Sequence, residues 1–289
     1  MSSMVLKLIA VITMLIDHVA SSCFYPWGIG RIRLESMNWL MDGMTLYWLA
    51  RIIGRIAFPI YCFLIVEGVA HTRNWKKYAV RLAVLALLSE IPFDFGLHNL
   101  RVDLAKPHVW QQFIDHSDWL HQNVFFTLLL GMLAVQFLRS SQRAIVRIQK
   151  RRQGKGRIDV PVSMLWLLRY VMWAALTCGL AWFAEEILCT DYGNGGVIMI
   201  SVMGLIYEYW EDRFWLIPKQ IIRVAICAIA LWLCCRVLDN SFEMYGMLAL
   251  LPIALYNGKK GYSSKGMQYG FYLFYPLHLI VVGILEMLA

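Results

Sequence analysis

Long apolar runs, separated by short polar stretches, dominate the pattern along this chain. A helix needs roughly 20 mainly apolar residues to cross a hydrocarbon layer about 30 Å thick. Nine segments fit: 4–24, 44–70, 78–97, 123–139, 161–189, 194–210, 217–237, 242–256 and 268–288. The second and fifth are long enough to tilt or to begin with an interfacial piece; the eighth is short. The pattern predicts an all-α fold, a polytopic transmembrane bundle of about nine spans (8–10). No internal repeat is visible, which argues against a transporter built from inverted halves. No soluble domain is set apart, so residues 1–289 read as a single integral membrane domain. Residues 4–24 read as an uncleaved first span, because Asp17 and His18 interrupt the run and Lys7 is its only early charge.

Composition supports this reading. Hydrophobic residues make up 60% of the 289 and charged residues 16%, against about 45–50% and 25% in soluble domains. A disordered chain, a fibrous chain and a disulfide-built secreted miniprotein are excluded. The net charge of +8 does not point to nucleic acid, because it is concentrated: Arg139, Arg143, Arg147, Lys150, Arg151, Arg152, Lys155 and Arg157 all fall in one segment without an acid. The other 19 basic residues equal the 19 acidic ones. A basic loop over 139–160 between apolar runs is the positive-inside signature of the cytoplasmic face. With a cytoplasmic N-terminus, Arg73, Lys76 and Lys77, then Arg213 and Lys219, then Lys259, Lys260 and Lys265 fall on that same side. The seven cysteines form no CxxC pair, so neither a metal nor a disulfide framework is expected. His98, His108, His116 and His121 share the outer loop 98–122, but their spacing fits no familiar ligand set, and the loop reads as solvated.

Polar residues inside the spans narrow the function. A charge at the bilayer centre costs about 2.5–3.5 kcal/mol on insertion scales, so such residues should face the bundle interior or a watery cavity. Here they are Asp17 and His18 in the first span, Arg51, Arg55 and Glu67 in the second, Arg81, Glu90 and Asp94 in the third, and His278 in the last. Lys7 and His18 stand eleven residues apart, about three helical turns, so they share one face about 16 Å apart. An imidazole titrates near neutral pH and suits general-base work; a buried histidine bonded to a carbonyl is the plainer reading. Arg51 and Arg55 are i,i+4 neighbours and repel unless an anion lies close, so they hold either a ligand or an internal carboxylate such as Glu67, Glu90 or Asp94. Pro59 should break or kink the second span, and Pro92 should distort the outer end of the third. Arg73, Lys76, Lys77 and Arg81 could hold phosphates, or could simply set topology.

Several ordered stretches resemble the TraX family of bacterial membrane proteins: LKLIAVITMLIDH (6–18), GRIAFPIYCFLIVEG (54–68), HT (71–72), SEIPFD (89–94), QNVFFTLLLG (122–131), DYGNGG (191–196) and FYPLH (274–278). The resemblance runs through nearly the whole chain. It implies a multi-pass protein of the bacterial cytoplasmic membrane, in a family whose founding member acetylates the N-terminus of pilin. It also implies kinship with transmembrane acyltransferases, including the acyltransferase-3 proteins, which take an acyl group from acyl-CoA. Those proteins carry a basic residue early in the first span and a histidine about three turns later; Lys7 and His18 match, with lysine in place of the usual arginine.

The resulting expectation is a membrane acyltransferase that moves an acetyl (acyl) group from acetyl-CoA to an amine or hydroxyl, such as a protein N-terminus or a glycan. His18 serves as the base and Asp17 assists it. Lys7, Arg51, Arg55, Arg73, Lys76, Lys77 and Arg81 contact acyl-CoA. Glu67, Glu90, Asp94, Asn123, Asp191, Tyr192 and His278 form an acceptor site or a structural polar network. No metal and no nucleic acid enter, and a homo-oligomer is compatible with the sequence. The alternative is a proton-coupled small-molecule transporter that uses the same Asp, Glu, His and Arg side chains.

Overall fold

The computed structural model describes residues 1–97, 121–153, 162–207, 218–262 and 264–288. His98, His108 and His116 of the outer loop and residues 154–160 of the basic loop lie outside them. The described residues are helical, apart from loops and one isolated bridge between Arg33 and Thr45.

Among the described residues six helices are long and apolar enough to cross a membrane: Ser3–Cys23, Leu46–His71, Val124–Gln149, Ser163–Ile187, Lys219–Val237 and Gly266–Met287. This is fewer than the nine apolar segments. The apolar helices Gly193–Tyr207 and Ser241–Ala254 fall short of a span. The helix Trp75–Leu97 is long enough but carries Lys76, Lys77, Arg81, Glu90 and Asp94. Its polar and apolar faces are inverted relative to those of a soluble helix. Val80, Val84, Leu87, Leu88 and Ile91 are exposed at helical spacing, whereas Ser89, Glu90 and Asp94 are buried.

The chain divides into two compact units: Met1–Tyr61 with Val84–Asn123 and Ser241–Ala289, and Cys62–Ala83 with Val124–Asn240. In the first, α1 (Ser3–Cys23) begins at Ser2, whose hydroxyl accepts from Val5 N–H and caps the helix. It packs on α2 (Leu46–Gly54). After a turn at Arg55 and Ile56 the chain enters α3 (Ala57–His71). The break therefore falls four residues before Pro59. A proline ring clashes with the carbonyl of residue i−4 and supplies no N–H to it, so α2 ends where Arg55 would have had to continue it.

Two helices of the first unit matter most for the site. α4 (Trp75–Leu97) runs unbroken through Pro92 and contributes its second half. The last helix, Lys265–Met287, packs on α1. Contacts of Lys7 with Phe271, His18 with His278 and Cys23 with Val282 advance in step, so these two helices run parallel. Glycines permit the close approach: a Cβ on Gly96 would lie 2.6 Å from the carbonyl oxygen of Leu279. The amino-terminal end is tied to the preceding loop, with Ser3 N–H donating to Lys259 O at 2.9 Å and Ser3 Oγ to Lys260 O at 3.0 Å.

In the second unit α5 (Val124–Gln153), α6 (Val162–Trp182, continued by the wider turn Phe183–Ile187), α7 (Gly193–Met203) and α8 (Lys219–Val237) pack in sequence order, with α5 also against α7. Gly131 faces Ile200 across α5 and α7, where a Cβ would meet the isoleucine at 2.6 Å. Arg169 is buried on α6 and held from α5: Nη2 donates to Leu138 O at 2.7 Å and Nε to Ser141 Oγ at 3.0 Å. The remaining elements belong to the first unit: a 3-10 segment (Ser241–Ala249), the short α9 (Leu250–Ala254), and α10, the Lys265–Met287 helix.

Candidate functional site

Within the first unit, α1 carries two polar residues to two neighbours. Asp17 turns toward α2, and His18, one position on and about 100° around the helix, turns toward α10. They therefore belong to separate clusters.

Asp17 is the hub of an ion network. Arg51 Nη1 donates to Asp17 Oδ2 at 2.8 Å, and Arg55 Nη2 donates to both Asp17 oxygens at 3.0 and 3.1 Å. Arg55 Nη1 donates to Glu243 Oε1 at 2.6 Å. Two guanidiniums meet two carboxylates, so the cluster is neutral as a whole. That matters for burial, since an uncompensated charge in the interior costs several kcal/mol. Asp17, Arg55 and Glu243 are buried. Gly54 makes the approach feasible: a Cβ there would lie 2.1 Å from Asp17 Oδ1. The arginines thus hold carboxylates, and Asp17 engages them rather than His18. Glu243, at the start of the 242–256 segment, is the missing partner. Its signal was arithmetic: two intramembrane arginines need two carboxylates, and the first span offers one.

His18 forms the second cluster. Its Nδ1 lies 2.7 Å from Nε2 of His278. The rings are nearly parallel, 12° apart, with centroids 5.0 Å apart. That separation is what two coplanar imidazoles joined through facing nitrogens require, so the contact is an in-plane hydrogen bond. His278 Nδ1 lies 2.9 Å from the carbonyl oxygen of Phe274. A carbonyl only accepts, so His278 carries its proton on Nδ1, and in the neutral ring Nε2 is a lone pair. His18 Nδ1 must then be the donor. The consequence is specific: neutral His18 has its proton on Nδ1 and a free lone pair on Nε2. The chain Phe274 O, His278, His18 fixes the tautomer of both rings. Phe274 stacks on His278 at 4.8 Å, and Tyr275 packs edge-on to both histidines. His278 also lines an open, otherwise apolar groove of about 660 Å³ between α1 and α10, with Leu15, Val19, Leu273 and Leu277.

The other sequence-predicted residues form smaller groups. Lys7 lies on α1 with its ammonium 5.8 Å from the Phe271 ring. Asn123 N–H donates to Glu90 Oε2 at 3.3 Å, and its Nδ2 donates to the same oxygen and to Ala86 O at 2.8 Å. Asp94 is buried on the same helix as Glu90. In the second unit Glu67 accepts from Tyr207 Oη and lies 3.3 Å from His71 Nε2. Asp191 offers its backbone carbonyl to Thr127 Oγ1, which also meets Thr190 Oγ1 at 2.9 Å. Tyr192 has φ +62° and starts α7. Arg73 precedes α4 and Lys76, Lys77 and Arg81 lie in its first two turns, all four exposed. Lys76 and Lys77 sit in its first turn, at the positive end of the helix dipole, where only an anion would be favoured. No group of three or more side chains suited to a metal occurs among the described residues.

Sequence comparison with known proteins finds matches over nearly the whole chain. A curated relative, "Probable fimbrial assembly protein FimC, serogroup H1" of Dichelobacter nodosus, is 27% identical over 290 residues, covering 97% of this chain and 94% of the relative. No solved structure matches significantly. The TraX protein family matches over residues 2–286, and the chain belongs to that family.

Proposed function

We propose that the protein is a membrane acyltransferase of the bacterial cytoplasmic membrane, akin to the acyltransferase-3 proteins, with His18 as general base. The observation that carries this reading is the tautomer chain ending on His18. A histidine can deprotonate an amine or hydroxyl only through a ring nitrogen with a free lone pair, and the tautomer chain leaves one on His18 Nε2. His278 positions the ring and, through its Nε2, stabilises the imidazolium formed when His18 takes up a proton. Asp17, Arg51, Arg55 and Glu243 act at one remove, fixing the rotation of α1 and with it the direction of His18.

The step balances simply. The acceptor nitrogen or oxygen attacks the thioester carbonyl of acetyl-CoA, and His18 Nε2 takes its proton. The new C–N or C–O bond forms as the C–S bond breaks, and the proton passes from His18 to the departing thiolate. The name of the fimbrial relative supports an acceptor on a surface-fibre subunit, and the resemblance to the TraX family points to its N-terminal amine.

The test uses purified protein in liposomes, labelled acetyl-CoA and a membrane extract as acceptor source. Label transfer should fall by about 10²–10⁴-fold in His18→Ala, the usual share of general-base catalysis, with the melting temperature retained. Saturating acetyl-CoA should stabilise the wild type, by about 2.7 kcal/mol at 100 times its dissociation constant. Transfer at the wild-type rate by His18→Ala removes His18 from the chemistry. Absence of both transfer and stabilisation removes the acyltransferase reading.

A further inference from the structure

A second polar cavity lies wholly within the second unit and is not part of the histidine cluster. Its volume is about 540 Å³, and Arg139, Arg143, Arg147, Gln142, His71 and Tyr207 supply its polar lining. No Asp or Glu is among the described residues that line it. The three arginines stand at i, i+4 and i+8 on α5. They rise about 6 Å per step and share an arc of about 80°. Arg139 is half-buried and anchored by donating to the Val69 carbonyl, which roots the stripe in the wall of the cavity. Arg143 and Arg147 are exposed, and neither forms an ion pair among the described residues.

Cations toward the C-terminal end of a helix are unremarkable by themselves, since the dipole favours them. Here the rest of the wall makes the difference. Glu67 accepts from Tyr207 Oη and pairs with His71, holding both in the wall. Val66, Val69, Val135 and Leu138 supply an apolar floor. Three like charges on one side of a cavity repel one another unless an anion joins them, and guanidinium forks match phosphate oxygens in geometry as well as charge. The volume lies in the range of organic-ligand sites and far exceeds a lone phosphate. With its apolar floor, the cavity suits a phosphate that carries a carbon skeleton.

We infer that the Arg139, Arg143 and Arg147 cavity binds the phosphate of an organic phosphate ester. This assignment does not rest on the acyltransferase reading. Two sources present that chemistry, a phospholipid headgroup and a soluble nucleotide. The experiment places the full-length protein in phosphatidylcholine nanodiscs and reads its melting temperature. One arm adds phosphatidylglycerol to the nanodiscs; the other titrates adenosine 3′,5′-bisphosphate. The double substitution Arg143→Ala with Arg147→Ala is run beside the wild type. Arg143→Gln with Arg147→Gln stands in should the alanine protein fail to fold. The wild type should be stabilised by at least one probe, with affinity reduced about tenfold or more in the double variant. Stabilisation by phosphatidylglycerol alone assigns a lipid, by the bisphosphate alone a soluble ester, and by both an open phosphate site. The inference is overturned if neither probe stabilises the wild type, or if the variant binds as tightly as the wild type.

Discussion

Arginines do opposite things in the two units. In the first, Arg51 and Arg55 face Asp17 and Glu243 and are neutralised within the fold. In the second, Arg139, Arg143 and Arg147 line a cavity with no acidic side chain among its described lining residues. The spacing along the helix is the same, i and i+4, so spacing does not distinguish the two. What differs is the neighbouring helix: α1 brings a carboxylate to the first pair, whereas Glu67 of the second unit is engaged by Tyr207 and His71. A buried arginine pair with matched acids is a structural fastening. An arginine stripe opening on a cavity without them is a place for an external anion.

The contrast can be broken at its strongest point first. Arg55→Ala leaves Asp17 and Glu243 buried with one cation between them and should cost about 3–5 kcal/mol, read as a lowered melting temperature. Neutralising the acids as well, with Asp17→Asn and Glu243→Gln, should recover part of that loss; no recovery would mean that the arginine acts by packing alone. Gly54→Ala should cost about 1–3 kcal/mol, because its methyl group would enter the space of the Asp17 carboxylate. Arg51→Ala should cost less than Arg55→Ala, about 1–2 kcal/mol: it loses one hydrogen bond, from a side chain 22% exposed. The smallest effect belongs to the other unit. Arg143→Ala with Arg147→Ala, in phosphatidylcholine and without added anions, should change stability by no more than about 0.5 kcal/mol. A loss as large as that of Arg55→Ala would show these arginines to be fastened too.

Much of this was legible in the chain, for identifiable reasons. The cost of burying charge required the polar residues of the first spans and the last to meet, and His18 with His278, and Asp17 with Arg51 and Arg55, do so. Helical geometry put Lys7 and His18 on one face, and both reach α10. The choice of partner was not legible, because periodicity fixes a face of one helix and says nothing of what lies across from it. Glu90 and Asp94 were open as partners for the arginines, yet Glu90 receives Asn123. Glu243 stands at the edge of the short apolar segment 242–256, where nothing in the pattern ties it to the arginines of the second span. The helix break near Pro59 was legible as an event but not in its position, since proline acts on the carbonyl four residues earlier. Among the described residues six of the nine apolar segments form helices of spanning length and composition, whereas runs such as 242–256 build shorter helices, because an apolar run fixes burial and not helix length.

The central claim is that His18 presents a free Nε2, with its proton on Nδ1 held by His278. Nitrogen-15 NMR of histidine-labelled protein in lipid, with His18→Gln and His278→Gln for assignment, reads this directly and needs no knowledge of the acceptor. The expected result is that neutral His18 and His278 both carry hydrogen on Nδ1, and that His18 loses this preference in His278→Gln. Hydrogen on Nε2 of neutral wild-type His18 would contradict the claim and would leave the proposed transfer without its base.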